Sequence, residues 1–180
     1  MVKLKLKPND VMLLLCDPKN LINKKIMLIN KLINSHHGLI ITISEPYTVL
    51  KKRLIESKVN VKKLFFVDLI TSTASSNPER SNDCIFINAP TALTSLGIAL
   101  NQAINSKDFN FIMVDNLSTF LMYNDSNVLM RFIHNLINKT RINNINCIII
   151  SDGGESNKKL INNIKSMSDK VVKGCGASRK

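Results

Sequence analysis

Short apolar runs alternate with segments of helical period along the whole chain. Val11–Cys16 is unbroken and closes on Asp17-Pro18, the pattern of a strand buried on both faces. Leu21/Ile22, Ile26, Ile29 and Ile33 then recur at helical spacing, with Gly38 as the expected stop. Leu39–Ile43 predicts a second strand, ended by Ser44-Glu45-Pro46, and Val49, Leu50 and Leu54 predict a helix with its lysines outward. Leu64–Val67 predicts a third strand, ended by Asp68. Residues 71–83 are polar throughout and predict a mobile surface loop. Cys84–Ile87 reads as a short strand, and Leu93, Leu96, Leu100 and Ile104 share one helix face. Phe111–Val114 is a strand ended by Asp115. Ser126 is the expected N-cap of a helix burying Leu129, Phe132, Ile133 and Leu136. Cys147–Ile150 is a strand closed by Ser151-Asp152-Gly153-Gly154. Ser156 is the expected cap of a last helix carrying Leu160, Ile164 and Met167, followed by a short strand over Lys170–Val172.

Strand–helix alternation predicts an α/β fold: a three-layer α/β/α sandwich on a mostly parallel sheet. Its 180 residues suit a single domain, expected over 1–172, with 173–180 as a frayed tail. Right-handed crossovers place every strand's carboxyl end on one edge, where chemistry gathers in such sheets. No apolar run approaches the roughly 18–20 residues of a membrane span. The first residues alternate lysine with leucine, unlike a secretory leader, so the chain is expected to be cytoplasmic and to avoid membranes.

The net charge of +12 raises nucleic acid as a partner. Residues 1–63 hold 13 basic and 4 acidic side chains, residues 64–150 hold 5 and 6, and residues 151–180 hold 7 and 3. The densest cluster, Lys51-Lys52-Arg53 with Lys58, Lys62 and Lys63, has no interleaved aromatic on which bases would stack, and it fits a solvated helix face. Richness in Lys, Asn and Ile together also follows from A/T-rich coding. The four cysteines have no CxxC spacing, and three lie inside apolar runs, as small hydrophobes do. His36-His37 fits a helix end, with no third ligand for a metal in view.

The polar residues just past the strands are Asp17, Glu45, Asp68, Asp115 and Ser151/Asp152. A carboxylate there can hold Mg²⁺ or orient water; otherwise it caps the next turn. Asp17 before Pro18 suits a cap. Glu45 is more open to function, because Glu caps poorly. Asp115 is the strongest candidate, both as a catalytic group and as a metal ligand. Neither a Gly-x-Ser-x-Gly elbow nor a Gly-x-Gly-x-x-Gly turn is present. Asp68 or Asp115 could pose as a receiver phosphoacceptor, but the acidic pair such a site needs at the first strand is reduced to Asp17.

Phe111-Ile-Met-Val-Asp115-Asn-Leu-Ser-Thr-Phe-Leu resembles the Walker B strand and following segment of KaiC-like members, archaeal in type, of the RecA ATPase superfamily. Leu39–Pro46 is similar to the second strand, where active members carry an acidic residue that activates water. Asn143–Ser151 resembles the strand whose end carries a polar sensor, and Met167–Val172 the ending that closes the sheet. The resemblance spans about residues 9–172 and implies a RecA-like P-loop NTPase fold. It assigns water activation to Glu45 and Mg²⁺ binding to Asp115, with ATP and Mg²⁺ as the cofactors of an active member.

The phosphate loop departs from that pattern. Gly-x-x-x-x-Gly-Lys-Ser/Thr turns backbone amides around phosphate, supplies a lysine to the terminal phosphates and a hydroxyl to Mg²⁺. Here the stretch is Cys16-Asp-Pro-Lys-Asn-Leu-Ile-Asn-Lys-Lys25, without glycine or a Lys-Ser/Thr pair. Pro18 has no N–H, and Asp17 adds negative charge. Lys19, Lys24 and Lys25 are the residues left to touch an anion. The expectation is an inactive, regulatory or scaffolding domain in signalling, partnered by itself or by an active ATPase, with no bound cofactor. An unconventional ATPase using Asp115 and Glu45, and a basic nucleic-acid-binding module, are the alternatives.

Overall fold

The computed structural model describes residues 6–75, 78–152 and 158–174. Among them, seven parallel strands form one sheet in the order β4-β3-β2-β5-β6-β1-β7. The strands are β1 (Val11–Cys16), β2 (Gly38–Thr42), β3 (Leu64–Asp68), β4 (Cys84–Phe86), β5 (Phe111–Asp115), β6 (Asn146–Ser151) and β7 (Lys170–Gly174). Between them run α1 (Leu21–Ile33), α2 (Tyr47–Glu56), α3 (Thr71–Ala74), α4 (Leu93–Ser106), α5 (Leu117–Tyr123), α6 (Ser126–Ile142) and α7 (Lys158–Met167). This is the predicted three-layer α/β/α architecture of a RecA-like fold. Among the described residues no helix is long and apolar enough to cross a membrane.

Alternation along the strands builds the two cores. From β1, Met12, Leu14 and Cys16 face α1 and α2 and pack with Ile29, Leu50 and Leu54. Val11 and Leu13 face the other way, into the larger core with Leu96 of α4, Leu129 and Ile133 of α6, and Ile164 of α7. Both faces of the central strands are covered, so their residues are apolar in unbroken runs. Cys16, Cys84 and Cys147 are free and buried among them; burial pushes the Cys147 thiol up to about 12.

Several boundaries differ from the pattern. Gly38 opens β2 instead of stopping α1, which ends at Ile33 with Asn34 as its cap. A Cβ on Gly38 would lie 2.0 Å from Cζ of Phe111 on the neighbouring strand, so glycine is there for close approach. Asp125, one residue before Ser126, is the N-cap of α6, its carboxylate accepting from the amides of Asn127 and Val128. Helix α5 intervenes where the pattern predicts none. Strand β7 runs on to Gly174, so Lys173 and Gly174 belong to the sheet and not to a tail. The expected cap Ser156 and residues 175–180 lie outside the described residues.

The polar stretch 71–83, expected as a mobile loop, holds a helix and a bridge among its described residues. Residues 71–74 form α3, and Ser81 bridges Cys84. Asp83 accepts from the Tyr47 hydroxyl (2.5 Å), from Lys51 Nζ (2.6 Å) and from Ser81, which fastens this segment to α2.

Candidate functional site

The register brings the strand-end carboxylates to one edge: Thr42 at the tip of β2 lies opposite Asp68 on one side and Asp115 on the other. Glu45 follows β2 in the loop to α2. The Thr42 hydroxyl donates to the Glu45 carbonyl at 2.6 Å and fixes that loop. Opposite it, β1 passes into α1 through a tight 3₁₀ turn over Pro18–Asn20.

That turn uses its own amides. The Lys19 N–H donates to Asp17 Oδ1 at 2.8 Å, the Asn20 N–H to the Asp17 carbonyl at 2.9 Å, and the Leu21 N–H to the Pro18 carbonyl. Pro18 has none to give. Asp17 therefore has the capping role its sequence context predicts. No amide between residues 18 and 21 is left to turn inward around a phosphate.

Lys25 stands one turn further along α1. It shares a helical stripe with Leu21, Leu28, Ile29 and Leu32, so its side chain enters the core, where it is 1% exposed. Its Nζ donates to Asp115 Oδ2 at 2.6 Å and to Glu45 Oε1 at 2.9 Å. Asp115 is fully buried and Glu45 is 14% exposed. Arg53 of α2 closes the cluster, its Nε 3.2 Å from Glu45 Oε2. Two carboxylates thus meet two cations. Burial alone would lower the affinity of Lys25 for its proton; Asp115 and Glu45 more than reverse this and hold it above the ordinary lysine value. Burial drives the Asp115 carboxyl upward, and the charge and hydrogen bond of Lys25 offset only part of that rise. Asp115 Oδ1 is buried and has no hydrogen-bond partner among the described residues.

A cleft of about 310 Å³ lies above the cluster, bordered by Ile22, Arg53, Asn116, Thr119 and Asp152. On its far side Ser118 Oγ donates to Asp152 Oδ1 at 2.5 Å and lies 3.1 Å from Ser151 Oγ. The peptide between Asp115 and Asn116 is cis.

Sequence reasoning selects Glu45, Asp115, Lys19, Lys24 and Lys25. The structure unites Glu45, Asp115 and Lys25. Lys19 is exposed and Lys24 half-buried, and neither forms an ion pair with the two carboxylates. Lys25 borders the cleft with its ammonium held by the two carboxylates. Asp68 stands apart: its carboxylate accepts from the amides of Tyr47, Ile70 and Thr71 and from the Thr71 hydroxyl, at 2.6–2.8 Å. It is a cap for two helices and has no oxygen to spare for a receiver-type reaction. Sequence reasoning misses Arg53 and Ser118 as members of the site. Arg53 sits inside a lysine run, and Ser118 acquires its place beside Asp152 only through α5.

The family model described as ATPase: KaiC matches residues 23–173, which include Lys25, Glu45, Arg53 and Asp115. The chain belongs to the KaiC ATPase family. No curated protein matches it.

ATP with Mg²⁺ is the ordinary ligand of this family, and the residues present do not fit it. In the β1–α1 turn the amides of Lys19, Asn20 and Leu21 are already bonded within the turn. Asp115 Oδ2 and Glu45 Oε1 both accept from the Lys25 ammonium. Among the described residues no group of three or more metal-ligating side chains converges.

Proposed function

We propose that this KaiC-family domain is catalytically silent and serves as a regulatory or scaffolding partner in signalling, joined to another copy or to an intact ATPase. The observation that carries this reading is the self-satisfied turn at Asp17–Leu21. Phosphate binding at a helix start depends on amides that have no other partner. The central strands, by contrast, are buried on both faces, so what persists is a scaffold with its surfaces.

The competing enzymatic reading would use Asp115 for Mg²⁺ and Glu45 for water. Lys25 and Arg53 argue against it, because they occupy both carboxylates. The test is phosphate release from ATP by the wild-type chain, Asp115→Asn and Glu45→Gln. The silent reading expects the same background from all three. Release by wild type that both substitutions abolish would replace it with the enzymatic reading. The partner role is tested by adding the chain to an active KaiC-family ATPase: co-elution or a changed hydrolysis rate is expected, and neither would contradict that role.

A nucleic-acid reading draws on Lys52, Lys58 and Lys62, exposed along α2 and the turn after it. It requires a mobility shift at low salt that weakens steeply as salt rises.

A further inference from the structure

We infer that the Lys25 ammonium stands where a divalent cation would bridge Asp115 and Glu45, and that the two carboxylates are a latent metal site closed by the chain's own lysine. This rests on the silent reading of the same site and deepens it. Nζ lies 2.6 Å from Asp115 Oδ2 and 2.9 Å from Glu45 Oε1, one cation between an oxygen at the end of β5 and one in the loop after β2. Divalent ions bridge carboxylates in this way at about 2.0–2.6 Å.

The orphaned oxygen supports the substitution. Asp115 is fully buried, yet among the described residues Oδ1 has no hydrogen-bond partner. Buried polar atoms are almost always satisfied. An ammonium directs its three donors tetrahedrally and here serves one oxygen of Asp115. A metal ion with its waters would engage both oxygens of the carboxylate or hydrogen-bond the second. The oxygen is left over because an organic cation has taken an inorganic cation's place.

Charge gives the second argument. Asp115 and Glu45 carry two negative charges, and Lys25 and Arg53 carry two positive ones. A divalent ion added to the native site would leave two positive charges in excess in a buried cluster. With the Lys25 side chain removed, the same ion finds two carboxylates paired with Arg53, which is close to the surface. The lysine therefore excludes metal and at the same time makes the fold independent of it.

The experiment uses the full chain without nucleotide, so its failure leaves the argument from the β1–α1 turn intact. Mn²⁺ is titrated into wild type, Lys25→Ala and Lys25→Ala/Asp115→Asn, with the free-ion resonance and the melting temperature as readouts. Wild type is expected to show no saturable site below about 1 mM and the same melting temperature in EDTA and Mn²⁺. Lys25→Ala is expected to gain one site and a melting temperature raised by Mn²⁺, both lost in the double variant. A wild-type site that Asp115→Asn removes would overturn the inference. So would a folded Lys25→Ala that binds no Mn²⁺, or one that stays unfolded both in EDTA and in about 10 mM Mn²⁺.

Discussion

Lys25 Nζ lies 2.6 Å from Asp115 Oδ2 across 90 residues of sequence, and neither side chain is open to solvent. Such a pair stabilises less than its Coulomb energy suggests, because both charges are desolvated. Breaking it is costly all the same, because the remaining charge is left buried and alone. Lys25→Met is therefore expected to lose about 3–5 kcal/mol in urea denaturation. Lys25→Met/Asp115→Leu should regain much of that loss, and additive losses would show that the two residues are not coupled.

Asp68 carries no chemistry and much structure. Its buried carboxylate holds three amides and a hydroxyl where α2 and α3 begin. Asp68→Ala leaves these donors unpaired and should cost about 3 kcal/mol or more. Asp68→Asn keeps one acceptor and should cost less. Equal stability of wild type and Asp68→Ala would remove the capping role.

Two glycines should respond oppositely to a methyl group. Gly38→Ala drives a Cβ to 2.0 Å from the Phe111 ring and should destabilise by about 1–3 kcal/mol. A Cβ on Gly97, inside α4, would meet nothing within 4 Å, and Gly97→Ala should stabilise by about 0.5–1 kcal/mol. Thermal melts of the two variants decide both.

The pattern of apolar and polar positions reveals the alternation, the parallel sheet and the edge where Glu45 and Asp115 meet, because buried strands must be apolar and crossovers are right-handed. It also shows that Cys16–Lys25 carries no glycine and no Lys-Ser/Thr pair, a matter of residue types in one short stretch. Gly38 imitates a helix stop because its actual reason is a ring on another strand. Ser126 imitates a cap because Asp125 beside it is an equally good one. The place of Lys25 is legible in part: Leu21, Leu28, Ile29 and Leu32 put it on the buried stripe of α1. Its partners, 20 and 90 residues away, are set by the sheet order, which periodicity does not contain.

Acid should weaken the fastening of residues 81–83 to α2. Burial alone would raise the Asp83 carboxyl, but Lys51, Ser81 and Tyr47 hold it below the usual 3.8. A carboxyl lowered in the folded state contributes stability that is complete above 3.8 and is lost as pH falls through its folded value. Urea midpoints should therefore drop on the acid side for wild type, and Asp83→Asn should flatten that limb. An unchanged acid limb in the variant would place the loss elsewhere. Lys51, held above 10.5 by Asp83 and Tyr47 against its burial, acts with the opposite sign: its contribution is complete below 10.5 and fades at higher pH.

The most direct test of the silent-site account is calorimetric titration of the wild-type chain with ATP and Mg²⁺. The closed turn at Asp17–Leu21 and the lysine-filled carboxylate pair predict no binding tighter than roughly 100 µM, about −5.5 kcal/mol. A tighter, saturable heat that Lys19→Ala and Lys24→Ala weaken would contradict it, since the turn would then have opened around phosphate.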